Sequence, residues 1–414
     1  MDKEIRLNKS IQFEKKCSKI IPAGSSTLAK SPHRLSPGHS PFYAESAYGS
    51  HFTDIDGNAW LDCEMAMGTV VWGHNRKEVN DAIIKQVYKG INFSVPSTLE
   101  YELAEIILAR FQQYKAIKFF KNGADSVYAA VRSARYQTGR NMTLSFGEYH
   151  GWLDWCSPSY YNCLPSSLGI PDKINLTHIS CQTDKEEFTT NINNYGEKIA
   201  CVILCPANYS SELLKDIIEL CHAKGIYVIF DEVTSGIRFA YGGATTLFNL
   251  RPDFLCISKG LTNGLPLALV LGDDDDILIM EQLQISNAHA GEHLALAAAI
   301  ACEKLLSETN EWPTWNQPVK KIMDELSMIL TSERNTSAIY LSGSTGCFSL
   351  HTPGFRHMED PFRYHLMEYM SKQLIFTKGY IIFSDSHTID EIKKVGAVLC
   401  DCVKDYYQKL QVNS

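Results

Sequence analysis

Phe254-Leu-Cys-Ile-Ser-Lys-Gly-Leu-Thr-Asn-Gly-Leu-Pro-Leu-Ala268 is the stretch from which the rest of the chain can be read. Its apolar run, Phe254–Ile257, has the length and composition of a strand buried on both faces. A lone lysine, Lys259, follows, and then a loop carrying Gly260, Asn263, Gly264 and Pro266. Burial next to such a strand disfavours the cation, which lowers a lysine's pKa and frees its amine as a nucleophile. Ser-Lys-Gly also suits a plain surface turn. The functional reading of Lys259 therefore depends on partners supplied elsewhere.

Runs of the same kind recur on both sides of this stretch. Residues 117–120, 142–146, 200–205, 226–230 and 267–271 read as further strands. Between them, 124–137 (Val127, Ala130, Val131, Ala134) and 211–223 (Leu214, Ile217, Ile218, Cys221) carry helical periodicity. Apolar strands joined by amphipathic crossovers predict an α/β fold around a mostly parallel sheet covered on both faces. Upstream, the first 70 residues are rich in turns. Alternation around Asp56-Gly-Asn58 predicts a hairpin, and helices are expected at 77–88 and from the capping-box spacing Ser97-Thr-Leu-Glu100. Downstream, 290–306 reads as an Ala/Leu-rich helix. Beyond it, short strands (338–341, 346–350, 381–383) alternate with helices (360–373, 389–409) as a smaller α+β unit. Asp273–Asp276 reads as a solvated loop.

The 414 residues hold 39 Lys+Arg against 47 Asp+Glu, a net charge of −8. That excess of acid speaks against nucleic acid or an anionic membrane as the main partner. The charged N-terminal stretch lacks an apolar signal core and no run is long enough to span a bilayer, which predicts a cytoplasmic protein. The 13 cysteines are scattered, many in apolar runs, and form no CxxC pair. They read as reduced, buried small side chains and not as metal ligands or a disulfide framework.

Three further stretches follow candidate strands, where open parallel sheets bind ligands. Lys121-Asn-Gly-Ala-Asp-Ser126 opens a helix with a glycine turn, whose free N–H groups and positive dipole end suit a phosphate. Tyr149 and His150, after 142–146, are placed to stack on a flat ring or simply to pack. Asp231 closes an apolar strand, where an unpartnered carboxylate is costly, and so calls for a cationic partner or a turn to cap. Together these supply what pyridoxal phosphate needs: an amine, a carboxylate for the pyridine nitrogen, a phosphate cup and an aromatic. A competing pattern, His289-Ala-Gly-Glu-His293, matches the H-x-x-E-H zinc-peptidase signature. It needs a continuous helix, and Gly291 sits inside it, so it reads as coincidence and no metal site is expected.

Asp54-Ile-Asp-Gly-Asn58, Gly68 to His74, Phe119 to Ser126, Thr138-Gly-Arg140, Tyr149-His-Gly-Trp152, Phe230-Asp-Glu-Val233, Gly236-Ile-Arg238 and Ser258-Lys-Gly260 stand in the order and spacing of one family. From Pro22 to about Tyr407 the chain resembles a class III, fold type I pyridoxal-phosphate aminotransferase of the glutamate-1-semialdehyde aminomutase branch. The resemblance implies a seven-stranded, mostly parallel large domain (76–310), a small domain from both chain ends (1–75 and 311–414), and homodimers with shared active sites. It casts Lys259 as the Schiff-base lysine and proton shuttle, and Asp231 as partner of the pyridine nitrogen. Val233 and Tyr149 would lie on the two ring faces, with His150 beside the ring. Asn122, Gly123 and Ala124 would hold the phosphate, and Asn208 would sit near the ring hydroxyl. Departures are equally plain. Ala124 stands where a phosphate-binding Ser or Thr is frequent, Cys205 replaces the usual Glu, and Ala288 replaces a Thr reaching the partner's phosphate, a role open to Asn287 or His289. Lys30 is read at the place of the aminomutase's carboxylate-binding arginine, which speaks against the aminomutase. The implied activity moves an amino group from an amino-acid donor to a keto or aldehyde acceptor, sugars included. An aminomutase or a catalytically inactive relative are the alternatives.

Overall fold

Alternating apolar runs and amphipathic helices fold, in the computed structural model, around one seven-stranded sheet. The structure describes residues 5–147, 149, 151–156, 169–175, 177–332, 339–352 and 360–413. The strands are β1 (Ala116–Phe120), β2 (Met142–Phe146), β3 (His178–Cys181), β4 (Ile199–Leu204), β5 (Tyr227–Glu232), β6 (Phe254–Ile257) and β7 (Ala268–Gly272). Their order is β1-β7-β6-β5-β4-β2-β3. Only β7 runs against its neighbours; the other pairs are parallel. Every residue of β4, β6 and β7 is buried, which is why these strands read as unbroken apolar runs. The flanking helices include α1 (Thr98–Arg110), α2 (Gly123–Thr138), α3 (Ser211–His222), α4 (Asp274–Gln282) and α5 (His293–Glu308).

Strand β3 was not foreseen. His178-Ile-Ser-Cys181 has no apolar run, because it lies at the sheet edge and pairs with β2 alone. His178 replaces apolar packing with hydrogen bonds to the hydroxyls of Thr143 (2.8 Å) and Ser145 (3.3 Å). Burial, followed by the charge of Arg135, pulls its pKa down to about 4, so the ring is neutral near pH 7. The loop expected over Asp273–Asp276 is also corrected. Asp273 is the N-cap of α4, and Asp274 to Asp276 form its first turn, where acidic side chains complement the helix dipole. Asp276 accepts hydrogen bonds from Tyr227 (3.0 Å) and Gln137 (3.2 Å) and so is only partly solvated.

The chain divides into two compact units, Glu78–Asn310 and a second formed by Met1–Lys77 with Glu311–Ser414. In the second unit the hairpin strands His51–Asp54 and Ala59–Asp62 pair as the sequence predicts. Asp54 organises their turn: it accepts from the backbone N–H of Asp56 (3.0 Å) and Asn58 (2.8 Å) and from the indole of Trp60 (2.8 Å). Asp56 in turn caps the helix Asn8–Cys17 through the N–H groups of Lys9 and Ser10. The two chain ends meet where Ile375–Phe376 pairs in parallel with Leu61 and Asp62. The C-terminal strands lie at Tyr340–Ser344, Cys347–His351 and Tyr380–Ile381, shifted by one to three residues from the expected positions.

Candidate active site

The larger unit brings its chemistry together along one edge of the sheet, beyond the carboxyl ends of its parallel strands. Asp231 pairs in register with Cys256, and Glu232 with Ile257, so β5 and β6 end side by side. Lys259 lies two residues past the end of β6. It is half-buried and starts a short 3-10 turn, Lys259–Thr262, with a left-handed φ of +44°. A non-glycine residue in that region is strained, and such strain persists only where surrounding bonds enforce it. Ser258 supplies one of them by donating to the Leu267 carbonyl at 2.7 Å. The Lys259 ammonium donates to the Thr234 hydroxyl at 2.7 Å.

Asp231 is fixed by the turn that follows it. Its Oδ1 accepts from the Val233 backbone N–H at 3.0 Å. Burial, and then the charge of nearby Asp231, hold the Tyr149 phenol well above its ordinary pKa. Tyr149 is only 6% exposed, and its ring lies 5.9 Å from that of Trp155. Trp155 meets the edge of His178 at 6.1 Å, so the unforeseen strand β3 supports the wall behind Asp231. The neighbouring Glu232 is fully buried and accepts from the Ala244 and Thr245 N–H groups and the Thr245 and Ser235 hydroxyls. It anchors the chain that follows β5.

Asn122 is the N-cap of α2 yet makes no side-chain cap bond; its amide turns to Asp125 at 3.2 Å. The first N–H groups of the helix therefore face outward without a side-chain acceptor from the cap, which suits a phosphate. A Cβ on Gly123 would lie 2.5 and 2.7 Å from the two methyls of Val233. Glycine is thus what lets the helix start close on Val233, two residues from Asp231. Ala124 offers no hydroxyl, and Ser126 spends its own on the Gly123 carbonyl at 2.8 Å.

Other expected residues are less tightly placed. Asn208 is exposed at the end of a short turn, Pro206–Asn208. Burial, followed by the Asp231 charge, pushes the Cys205 thiol up, so it faces Asp231 as a neutral group. Asn287, Ala288 and His289 are exposed, as is Lys30 in the other unit. His150 lies outside the described residues. The His289–His293 pattern does not sit on one helix: Glu292 is the N-cap of α5, accepts from Leu294 (2.7 Å) and Ala295 (3.3 Å), and pairs with Lys121 at 3.0 Å. Thr234 escaped the sequence reading because no periodicity marks it. Strand adjacency would have found it, since the turns after β5 and β6 must touch.

An amine and an ionisable carboxylate on adjoining strand ends, with an open helix start after β1, can bind a flat phosphorylated aldehyde. The comparisons agree with that chemistry. Residues 35–344 match the family described as aminotransferase class-III. The chain is 27% identical to glutamate-1-semialdehyde 2,1-aminomutase of Thermodesulfovibrio yellowstonii over 360 residues, 83% of this chain and 84% of that protein. Among solved structures, a transaminase with pyridoxal phosphate bound superposes with a TM-score of 0.86 at 22% identity, covering 98% of this chain and 99% of that one. An omega-transaminase from Sphaerobacter thermophilus gives 0.82 at 20% identity over 96% and 97%.

The close approach of α2 to Val233 gives a test of the cradle. Gly123→Ala is expected to cost about 1–3 kcal/mol by overpacking, seen as a lower urea midpoint, and Val233→Ala in the same chain should recover most of it. No recovery would mean that Val233 is not what Gly123 accommodates.

Proposed function

Since the chain belongs to the class-III aminotransferase family, with pyridoxal phosphate as cofactor and amino-group transfer as its reaction, we propose that Lys259 carries that cofactor through a covalent carbon–nitrogen bond and that Asp231 pairs with its ring nitrogen. The carrying observation is the register of β5 and β6, which sets these two side chains at adjoining strand ends. Bound there, pyridoxal phosphate supplies a protonated ring that draws electrons from the substrate carbon. Everything else falls to the chain. Asp231, oriented by the Val233 N–H, would pair with the ring nitrogen and favour its protonated form. Val233 packs on one ring face and Tyr149 on the other. The N–H groups of Gly123 and Ala124, with Asn122, hold the phosphate through backbone and dipole, because the hydroxyls common at these places are absent. Asn208 borders the ring hydroxyl. Once its amine is released, Lys259 moves the proton at the substrate carbon.

The substrates in this reading are an amino-acid donor and a keto or aldehyde acceptor. Intramolecular amino transfer is the second reading, favoured by the aminomutase relative. A homodimer with shared active sites is supported by the exposed apolar run Ile84, Tyr88, Ile91, Val95 and Tyr101 in the larger unit, since a monomer rarely leaves such a patch bare. A cytoplasmic location is supported by the cysteines, which among the described residues are all free thiols. No helix among the described residues is long and apolar enough to cross a membrane.

Protein charged with pyridoxal phosphate and mixed with single amino acids is expected to lose its yellow colour and release the matching keto acid. Asp231→Asn should keep the cofactor on Lys259 yet turn over about 100-fold more slowly or worse. Normal turnover in that variant would contradict the role given to Asp231, and conversion of an amino aldehyde without keto-acid release would select the aminomutase. Light scattering on protein from the cytosolic fraction should return twice the chain mass; a monomer that is fully active would refute the shared site.

A further inference from the structure

Thr234 occupies the N-cap of the short turn Ser235–Arg238, a position where a threonine hydroxyl ordinarily accepts from the helix backbone. Here it makes no cap bond, and its Oγ1 instead accepts from Lys259 Nζ at 2.7 Å. Resting on the reading of Lys259 as the cofactor-bearing lysine, we infer that Thr234 is a positioning residue: its hydroxyl docks the Lys259 amine and favours the protonated form. An ammonium offers donors and no acceptor, so the hydroxyl oxygen satisfies it and holds the proton the amine must deliver. Threonine's branched Cβ restricts χ1, which fixes the oxygen in space. The left-handed φ of Lys259 fixes the other end by setting the direction in which the side chain leaves the backbone. Burial alone pushes a lysine toward the neutral amine; Thr234 offsets part of that push.

Other ionisable groups face this amine or the elements packed on it. Asp231 and Glu232 come from β5, with the Glu232 carboxylate fully engaged by Ser235, Ala244 and Thr245. Cys205 follows β4; burial and then the Asp231 charge push its thiol up, and the Lys259 charge opposes them. The Tyr149 phenol, raised first by burial, also feels the Asp231 charge. Arg238 is buried in the turn that Thr234 opens, and α5 brings His293 and Glu303, the latter paired with Arg110 at 2.9 Å. None of these changes when the Thr234 hydroxyl alone is removed, so a difference between variants reports on that hydroxyl.

The test follows capture of pyridoxal phosphate by the cofactor-free chain across pH, read from the yellow absorbance and from the peptide labelled after borohydride. Thr234→Val and Thr234→Ala are expected to move the half-maximal pH of capture down by about one unit, the size of one hydrogen bond to a charged group. Thr234→Ser, which keeps the hydroxyl, should follow the wild-type curve. Identical curves for wild type and Thr234→Val, or equal shifts in Thr234→Val and Thr234→Ser, would overturn the inference while leaving Lys259 as the labelled residue. Label on a residue other than Lys259 in the wild type would instead remove the premise, and the inference with it.

Discussion

The parallel register between β5 and β6 is the constraint on which the site depends. Setting Asp231 opposite Cys256 forces a carboxylate to emerge at one strand end while Lys259 leaves the next strand two residues beyond its own. A slip of one residue would turn Asp231 to the other face of the sheet. Full burial of β6 makes such a slip costly, since its side chains are packed on both faces of the sheet.

Around that register, polar groups are arranged so that no carboxylate is left to burial alone. Glu232 lies fully inside but collects donors from the backbone and hydroxyls of the following turns, which ties the chain after β5 into place. Asp231 accepts the Val233 N–H, which orients its carboxylate at the strand end. Tyr149 is held by Trp155 and, behind it, by neutral His178. The wall of the site thus reaches back to the sheet edge.

Much of this was legible in the sequence, for a physical reason. Strands buried on both faces leave continuous apolar runs, so β2 and β6 were bounded to the residue and their central neighbours to within two. Edge strand β3 left no such trace because hydroxyls and an imidazole do its packing. The acidic run at 273–276 was mistaken for a loop because charge density alone does not distinguish a solvated turn from a helix start favoured by the dipole. Lys259, Asp231, Asn122 and Gly123 stood out in the sequence because each sits where a strand or helix begins or ends. Thr234 did not, because its contact with Lys259 depends on which strands are neighbours. The H-x-x-E-H pattern dissolved for the same reason in reverse: spacing cannot tell a helix interior from a helix cap, and Glu292 is the cap.

In the proposed site Ala124, Cys205 and Ala288 bring neither a hydroxyl nor a carboxylate, beside the amine of Lys259 and the carboxylate of Asp231. Backbone N–H groups and a helix dipole remain for the phosphate, and they need no particular side chain. The most direct measurement is the electron density of crystals soaked in pyridoxal phosphate. Density is expected to run unbroken from Lys259 Nζ into the cofactor, with the ring nitrogen about 3 Å from an Asp231 oxygen and the phosphate at the start of α2. Cofactor bound elsewhere, or a ring turned with its nitrogen away from Asp231, would contradict the shared role of the two strand ends.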